Sequence, residues 1–421
     1  MATTDPTLHV DVDRVLDELS PRYQRALSEL VQCPSLLGQE THAQHLVATL
    51  AADIGLEVDT WNVEPDDLRS DPSYAPVDGG ESPRPNVQAR LKGRGSGRSL
   101  ALSGHIDVVP IGPRHLWSRD PFGGEIDGDR LYGRGSLDMK GGMIAALQAI
   151  HAVREVLGAL DGDVLFESVI EEECSGNGML AARRRGPDTD AAVIPEISGE
   201  QIQFANPGVL WFEVTVTGKA AYVGLAGQSV SAIDLAAEVI EILHQLPDEL
   251  NARFDHPAYA PFPQPLTLNI GTISGGDWPS NVALECTLGC RLSYPLGWSV
   301  EQAQQAVTDH LHRRTTSHPW MGAHPPTLRW HGFRAEGYHI DVDAPIVRSL
   351  AEAVESVTAQ PARFGPMFGT ADARYFDQRG IPAVYYGPDG GGMHAPDEWV
   401  SLASVHRVAR ALARTMMEWC S

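Results

Sequence analysis

The length, composition and charge of the chain exclude several classes of function. At 421 residues it is longer than one hydrophobic core usually supports, so we expect two domains. Its formal net charge of −23 at pH 7 argues against nucleic acid or an anionic membrane surface as a partner, because both bind basic surfaces. We find no signal-peptide pattern and no membrane-spanning apolar run, and the five cysteines are scattered, so we expect a cytoplasmic chain without a disulfide framework.

The N-terminal half alternates between predicted helices and predicted strands, which indicates an α/β domain. Helices are predicted over 11–31, 41–54 and 143–157. Strands are predicted over 56–63, 86–91, 163–170 and 191–194. Between them, the segment 64–85 is crowded with Pro, Asp, Gly and Ser and predicts a long surface loop.

Two short motifs in this region carry polar side chains of the kind found in metal-binding and other ligand-binding sites. The apolar run 100–102 predicts a further buried strand, and His105 and Asp107 follow at its end, two residues apart and therefore on one face. Asp138 lies in a Gly-rich turn just before a predicted helix. A hydrogen-bonded pair and a metal ligand with its carboxylate partner both fit the first motif, whereas no phosphate-binding template fits the second.

Two later strands also end in acidic residues. One is followed by Glu171, Glu172 and Glu173, and the next by Glu196. Three consecutive acids usually form a solvated face. Their position just beyond the carboxyl ends of buried strands, where ligands gather in α/β sheets, favours a site instead.

From about residue 203 the pattern of elements changes. The predicted order is strand 209–217, helix 230–246, strands 266–273 and 282–292, helix 300–312 and strand 327–330. This order is typical of a small ferredoxin-like α+β unit inserted into a larger domain. A helix over 343–357, a strand over 381–386 and a helix over 400–419 then resume the first domain. We therefore expect one domain from residues 1–205 and 334–421, and an inserted domain from 206–333.

The motifs together resemble the M20 metallopeptidases, which are co-catalytic zinc amidohydrolases. The matching segments are Ser103-Gly-His-Ile-Asp-Val-Val-Pro110, Gly135-Ser-Leu-Asp-Met-Lys-Gly-Gly142, Glu171-Glu-Glu, Pro195-Glu196 and Met393-His394. The resemblance implies a zinc-exopeptidase-like α/β domain with a mixed sheet and helices on both faces, plus a ferredoxin-like lid. It also implies a homodimer formed through the lid.

The resemblance assigns five metal ligands. They would bind two zinc ions, which Co²⁺ or Mn²⁺ could replace because affinity order alone does not select zinc. Asp138 would bridge the ions, His105 and Glu196 would complete one site, and Glu173 and His394 the other. Imidazole and carboxylate groups are ordinary zinc ligands, so the assignment agrees with the chemistry of the motifs.

The resemblance also implies a mechanism. Glu172 would be the general base for attack of water on an amide carbonyl, and Asp107 would orient His105. The peptide bond from Asp138 to Met139 would be cis. The expected reaction is hydrolysis of an N-acyl amino acid or small peptide-like substrate with a free carboxylate.

Three further residues match positions that face the substrate in the family. Arg374 matches a position often assigned to the free carboxylate, for which a planar guanidinium is well suited. Asn281 and Arg291 match lid residues that face or support the active site. For Arg291 a surface salt bridge is an equal alternative.

One position departs from the family pattern. The hydrolases normally carry Ala-His after the strand that ends at Gly218, and that His stabilises the oxyanion of the partner subunit's site. Here Gly218 is followed by Lys-Ala-Ala-Tyr222. Tyr222 can donate a hydrogen bond but lacks the charge of an imidazolium. Three interpretations stay open: Tyr222 is the donor, another group replaces it, or the metal site performs cyclisation, condensation or lyase chemistry. A catalytically inactive metal-binding protein is a fourth.

Overall fold

The computed structural model describes residues 6–79, 83–95 and 97–421. The helices are α1 (Pro6–Val31), α2 (Thr41–Ile54), α3 (Pro65–Leu68), α4 (Gly141–Leu157), α5 (Asn177–Arg185), α6 (Ala232–Leu243), α7 (Leu246–Asn251), α8 (Val300–Thr315), α9 (Pro345–Thr358), α10 (Ala373–Asp377) and α11 (Leu402–Trp419). Short 3₁₀ or π turns cover Arg114–Leu116, Ser136–Lys140, Val223–Gln228 and Pro257–Tyr259.

The strands follow the same chain order. They are β1 (Glu57–Val63), β2 (Arg84–Leu91), β3 (Leu100–His105), β4 (Ile126–Asp127), β5 (Arg130–Tyr132), β6 (Val164–Val169), β7 (Ala191–Ile194), β8 (Ile202–Gln203), β9 (Ala205–Asn206), β10 (Gly208–Thr217), β11 (Leu268–Gly275), β12 (Glu285–Tyr294), β13 (Thr327–Ala335), β14 (Tyr338–His339), β15 (Phe364–Gly365), β16 (Ala383–Tyr385), β17 (Gly390–Gly391) and β18 (Trp399–Ser401). The segment predicted as the loop 64–85 contains α3, and its residues 80–82 lie outside the described residues.

Eight strands form a large mixed sheet in the order β1-β2-β6-β3-β7-β16-β8-β15. The central strands β6, β3, β7 and β16 are parallel to their neighbours within that group. They are fully buried runs, as expected for parallel strands covered on both faces. Successive residues of β6 confirm the two covered faces, since Glu167 pairs with Arg183 of α5 and Ser168 bonds Gln44 of α2.

A second, small sheet is formed by residues from the middle of the chain. Its order is β13-β10-β12-β11, all pairs are antiparallel, and α6 and α8 pack on it. This is the ferredoxin-like arrangement that the order of elements predicts. The small sheet has a hydrophobic core of its own, separate from that of the large sheet. The domain bounds at 205/206 and 333/334, and a lid role for this unit, stay predictions.

The fold class predicted from the sequence is confirmed as a mixed α/β structure. Two details differ from the predicted elements. The helix expected over 230–246 is divided into α6 and α7, and the last strand of the small sheet continues to Ala335. All five cysteines are free thiols. Within the described residues, we find no helix that combines the length and apolar composition needed to cross a membrane.

Candidate metal centre

The candidate centre lies where the parallel strands of the large sheet end. His105 is the last residue of β3, and Glu173 and Glu196 follow the ends of β6 and β7. His394 follows β16 through a short glycine-containing segment, and Asp138 lies in the π turn before α4. Because neighbouring parallel strands end at the same edge, residues far apart in the chain are brought together there.

The five predicted ligands converge around Asp138. One oxygen of its carboxylate, Oδ1, is 3.3 Å from His105 Nε2, and the other, Oδ2, is 3.2 Å from His394 Nε2. His105 Nε2 is also 3.4 Å from Glu196 Oε1, and His394 Nε2 is 3.2 Å from Glu173 Oε2. Asp138 thus stands between two groups of ligand atoms, each with one imidazole and one further carboxylate.

These distances fit a pair of cations. Two atoms that bind one tetrahedral zinc ion at about 2.1 Å lie roughly 3.4 Å from each other. The four separations around Asp138 are all between 3.2 and 3.4 Å. In addition, His105 Nε2 is buried and has no hydrogen-bond partner within the described residues, as a nitrogen reserved for a metal would be.

The acidity of the ligands reflects how closely they are packed. Burial opposes protonation of His394, yet the carboxylates of Asp138 and Glu173 raise its pKa to about 11. Burial, and then the charge of Asp138, raise the pKa of Glu173 to about 7. Burial would raise the pKa of Asp138, but the imidazoles of His105 and His394 beside it lower it below its ordinary value. Divalent cations would relieve the repulsion among these carboxylates.

Asp107 supports two parts of the centre. Its backbone oxygen is 2.9 Å from His105 Nδ1, while its carboxylate Oδ1 is 3.6 Å from the same nitrogen. The carboxylate accepts hydrogen bonds from the backbone N–H groups of Glu172, at 3.1 Å, and Glu173, at 3.0 Å. The backbone oxygen of Asp107 therefore orients the His105 ring. The side chain of Asp107 fixes the turn that contains Glu172 and Glu173.

Glu172 lies beside the ligands without the contacts of a structural acid. Its Oε2 is 3.8 Å from His105 Nε2, and its Oε1 is buried without a hydrogen-bond partner in the described chain. Burial raises the pKa of Glu172 well above its ordinary value. A carboxylate of high proton affinity with a free oxygen suits proton transfer.

The Asp138–Met139 peptide is cis, as expected.

The structure also brings two charged residues that the sequence did not mark, Arg84 and Glu40, into a network with Glu171 of the acidic turn. Glu171 has a φ of 63°, and its carboxylate accepts hydrogen bonds from Arg84, Ser175 and Asn177. Arg84 also bonds Glu40, and both of these side chains are buried. This network anchors the turn that carries Glu172 and Glu173. Isolated charged residues outside any motif are usually solvated, so only a three-dimensional arrangement could have found it.

Asp372 is a second residue that sequence reasoning missed. It is buried, and its Oδ1 has no hydrogen-bond partner in the part of the chain described. Burial raises its pKa to about 7, against the opposing effect of Arg374, and it interacts electrostatically with Glu172. Its place two residues before Arg374, a position already singled out, was the one signal in the sequence.

Arg374 is buried, and its guanidinium is held by the protein. Its terminal nitrogens donate to the hydroxyls of Thr370 and Tyr375 and to the backbone oxygens of Ala371 and Ser175. Binding of a substrate carboxylate would have to compete with or add to these four bonds. Its assignment to the substrate stays a prediction.

The three predicted residues of the small sheet lie apart from these contacts. Tyr222 is 70% exposed and pairs with Asn281 in a single backbone bridge. The Asn281 amide lies 3.3 Å from the carboxylate of Asp277. Arg291 donates to Ser293 and forms no ion pair within the described residues, so the surface salt bridge is not observed.

Comparison with known proteins places the chain in a family. The family model described as "Peptidase family M20/M25/M40" matches residues 101–418. The chain belongs to this peptidase family. The match includes the elements that carry all five predicted ligands, and it makes the protein a metal-dependent amidohydrolase that acts on C–N bonds.

The relatives of this M20 family chain span nearly its whole length. It is 28% identical over 399 residues to a protein of Halalkalibacterium halodurans named N-formyl-4-amino-5-aminomethyl-2-methylpyrimidine deformylase, with 90% of this chain and 89% of the relative covered. A protein of the same name from Bacillus subtilis is 27% identical over 441 residues, covering 97% and 99%. The di-peptidase Dug1p of Saccharomyces cerevisiae has the same fold, with a TM-score of 0.81, 14% identity and 98% of each chain covered.

Proposed function

We propose that the chain is a di-zinc hydrolase that cleaves the amide bond of a small N-acyl amine, with Glu172 as the general base. The observation that carries the proposal is the pair of ligand groups on either side of Asp138, each with separations close to those of atoms that share one cation. The carboxylate of Glu172 lies 3.8 Å from His105 Nε2 and has a buried oxygen without a hydrogen-bond partner among the described residues.

In this proposal the residues predicted from the family would hold the metal ions. Asp138 would contribute to both sites, with His105 and Glu196 completing one and Glu173 and His394 completing the other. Divalent cations at such a site act as Lewis acids that polarise a carbonyl group and make water more acidic.

The chain's own side chains would then move the proton. Glu172 would take it from the attacking water at Oε1 and pass it to the nitrogen of the departing amine. The backbone N–H groups of Glu172 and Glu173 donate hydrogen bonds to the Asp107 carboxylate, which keeps the base beside the ligand that follows it in the chain.

The relatives suggest which acyl group to test first. Both are named for removal of a formyl group from an aminomethylpyrimidine. We therefore place an N-formyl amine at the head of the candidate substrates, ahead of N-acyl amino acids. A substrate carboxylate bound by Arg374 is the alternative, against which the four protein contacts of that side chain count.

We also propose a homodimer formed through the small sheet. Strand β11 is an edge strand, and most of its residues are exposed. Ile273 on this strand and Trp278 just after it are 59% and 67% exposed. An exposed edge with apolar side chains is a surface that proteins usually cover.

The test uses the metal-loaded protein and matched pairs of amides. One pair contrasts N-formyl with N-acetyl on an aminomethyl heteroaromatic amine, and the other contrasts an N-acyl amino acid with its methyl ester. We expect mass spectrometry to show the free amine from the N-formyl compound. A metal-loaded protein that cleaves none of the four, or that joins two substrates, would contradict the proposal. Products in which two substrates are joined would favour the non-hydrolytic chemistry that stays open because Tyr222 stands where the family normally has His.

A further inference from the structure

Glu398 is a fully buried acid that has no place in the proposed mechanism. It lies four residues after His394 and immediately before β18. Its Oε1 accepts hydrogen bonds from the backbone N–H groups of Leu137, at 3.0 Å, and Asp138, at 3.2 Å. Its Oε2 accepts a hydrogen bond from the buried guanidinium of Arg134. One carboxylate therefore contacts the backbone of Asp138 while it belongs to the segment that carries His394.

The N–H groups that Glu398 binds need an outside acceptor. Leu137 and Asp138 lie in the π turn before α4, and Asp138 departs from helical backbone angles, with φ −116° and ψ 94°. The first N–H groups of a helical segment have no intrahelical partner, and their partial positive charge favours an anion. A carboxylate from a distant part of the chain serves as that anion here.

The backbone reinforces the same connection. The N–H of Gly133 donates to the backbone oxygen of Glu398 at 2.8 Å, and Trp399 pairs with Tyr132 between β18 and β5. The segments before Asp138 and after His394 are thus held in register next to the carboxylate. A shift of either segment would alter the 3.2 Å separation between Asp138 Oδ2 and His394 Nε2.

We propose that Glu398 is a positioning residue that couples the two segments, so that Asp138 and His394 bind the same cation in a fixed geometry. The inference rests on the proposed metal centre. Residues that orient metal ligands typically change metal affinity about 10- to 100-fold when they are lost. We expect an effect of that size, and we expect it mainly at the site formed by Asp138, Glu173 and His394.

The alternative is that Glu398 forms a buried ion pair with no role beyond stability. The chain contains a matched pair with which to separate the two. Glu167 is also fully buried and pairs with Arg183, and the exposures of these side chains equal those of Glu398 and Arg134. Glu167 accepts hydrogen bonds from the side chains of Arg183 and Gln88, and none of its hydrogen bonds comes from a predicted ligand.

The experiment compares Glu398→Ala and Glu398→Gln with Glu167→Ala and Glu167→Gln. Zinc dissociation constants are measured by chelator competition, the number of bound ions by elemental analysis, and ligand geometry by the visible absorption of the Co²⁺-loaded protein. Urea unfolding of the metal-free variants gives the loss of stability. The two Gln variants keep an acceptor oxygen and serve where an Ala variant does not fold.

We expect Glu398→Ala to weaken zinc binding about 10- to 100-fold at the site formed by Asp138, Glu173 and His394. The visible absorption of the Co²⁺-loaded protein should change as well. Glu398→Gln should recover part of the affinity, because its amide oxygen can still accept from Leu137 and Asp138. The Glu167 variants should lose stability to a similar degree and bind zinc as the wild type does. Zinc affinity that is the same in the Glu398 and Glu167 variants would overturn the inference, as would a wild-type protein that binds no metal.

Failure of the inference can be told apart from failure of the proposed function. Amide hydrolysis is measured only on the wild type, and zinc affinity is measured on the wild type and on the variants. A wild type that binds two ions but cleaves no amide contradicts the proposed function alone. A wild type that cleaves amides while the Glu398 variants keep full zinc affinity contradicts the inference alone.

Discussion

The edge of the large sheet and the exposed end of the small sheet differ in how their polar side chains are held. At the edge of the large sheet, Asp138 contacts two imidazoles and is buried among other carboxylates. At the end of the small sheet, Tyr222 is mostly exposed and pairs with Asn281 through a backbone bridge. The side chains at the edge of the large sheet are therefore preorganised within one chain. Tyr222 at the end of the small sheet could contribute to chemistry only if another surface were brought against it.

Removal of metal should have the largest effect. Dialysis against a chelator should abolish hydrolysis, and addition of Zn²⁺ or Co²⁺ should restore it. The carboxylates at the edge of the large sheet repel one another without cations, and ligand binding stabilises the folded state by about 2.7 kcal/mol at 100 times the dissociation constant. Thermal unfolding with and without chelator checks this. A chelated protein of unchanged activity and stability would show that the region is not a metal centre.

The substitution Glu172→Gln should have the next largest effect. It removes the proton acceptor but keeps the size of the side chain, so kcat should fall by about 10²- to 10⁴-fold. Zinc content and unfolding in urea should stay close to those of the wild type, because Glu172 Oε1 has no hydrogen-bond partner to lose among the described residues. An equal loss of activity and zinc would instead make Glu172 a ligand.

The substitution Tyr222→Phe tests whether the exposed region at the end of the small sheet takes part in catalysis. If the hydroxyl donates to the oxyanion, kcat should fall by about 10²- to 10³-fold with zinc content unchanged. We expect that result, together with partial activity for Tyr222→His, which restores the family residue. Phe364→Leu, at an exposed aromatic residue outside the small sheet and the proposed dimer surface, is the control. A Tyr222→Phe variant with wild-type kcat would exclude the hydroxyl as the donor.

The smallest expected effect concerns the network behind the acidic turn. Burial raises the pKa of Glu40 to about 7, despite the opposing charge of Arg84. When the pKa of a carboxyl is higher in the folded state than in the unfolded state, the protein loses stability as the pH rises between the two values. For Glu40 this range runs from about 4.5 to about 7. Glu40→Gln should remove this slope, which amounts to roughly 1–3 kcal/mol over that range.

Urea unfolding at several pH values between 4.5 and 8 measures the slope. The exposed carboxyl of Glu57 on β1 provides the control, since Glu57→Gln should leave the slope unchanged. An identical pH dependence in the wild type and in Glu40→Gln would show that Glu40 does not titrate in this range.

The sequence was sufficient to predict the central strands of the large sheet, and the family resemblance marked the five side chains that the structure brings together. Buried apolar strands are recognisable without a structure, and His105, Glu173 and Glu196 lie at or shortly after the ends of such strands. The ferredoxin-like order of the small sheet was also predictable, because strands such as β10 alternate between buried and partly buried residues. These features depend on short stretches of chain, where pattern and structure are closely linked.

The supporting contacts could not be predicted in the same way. Glu171, Arg84 and Glu40 come from three separate segments, and only the folded chain brings their charges together. The family pattern led to Asp107 as the partner of His105, but a pattern does not distinguish its backbone oxygen from its carboxylate. Long-range pairing of buried charges is a property of the tertiary structure, so it leaves no periodic signal in the sequence.

A crystal structure of the zinc-loaded protein, with anomalous diffraction at the zinc edge, tests the central claim most directly. We predict two anomalous peaks, one within coordination distance of His105 and Glu196 and the other within that of His394 and Glu173, with Asp138 bound to both. A single peak, or ions bound by other side chains with Asp138 free, would contradict the account.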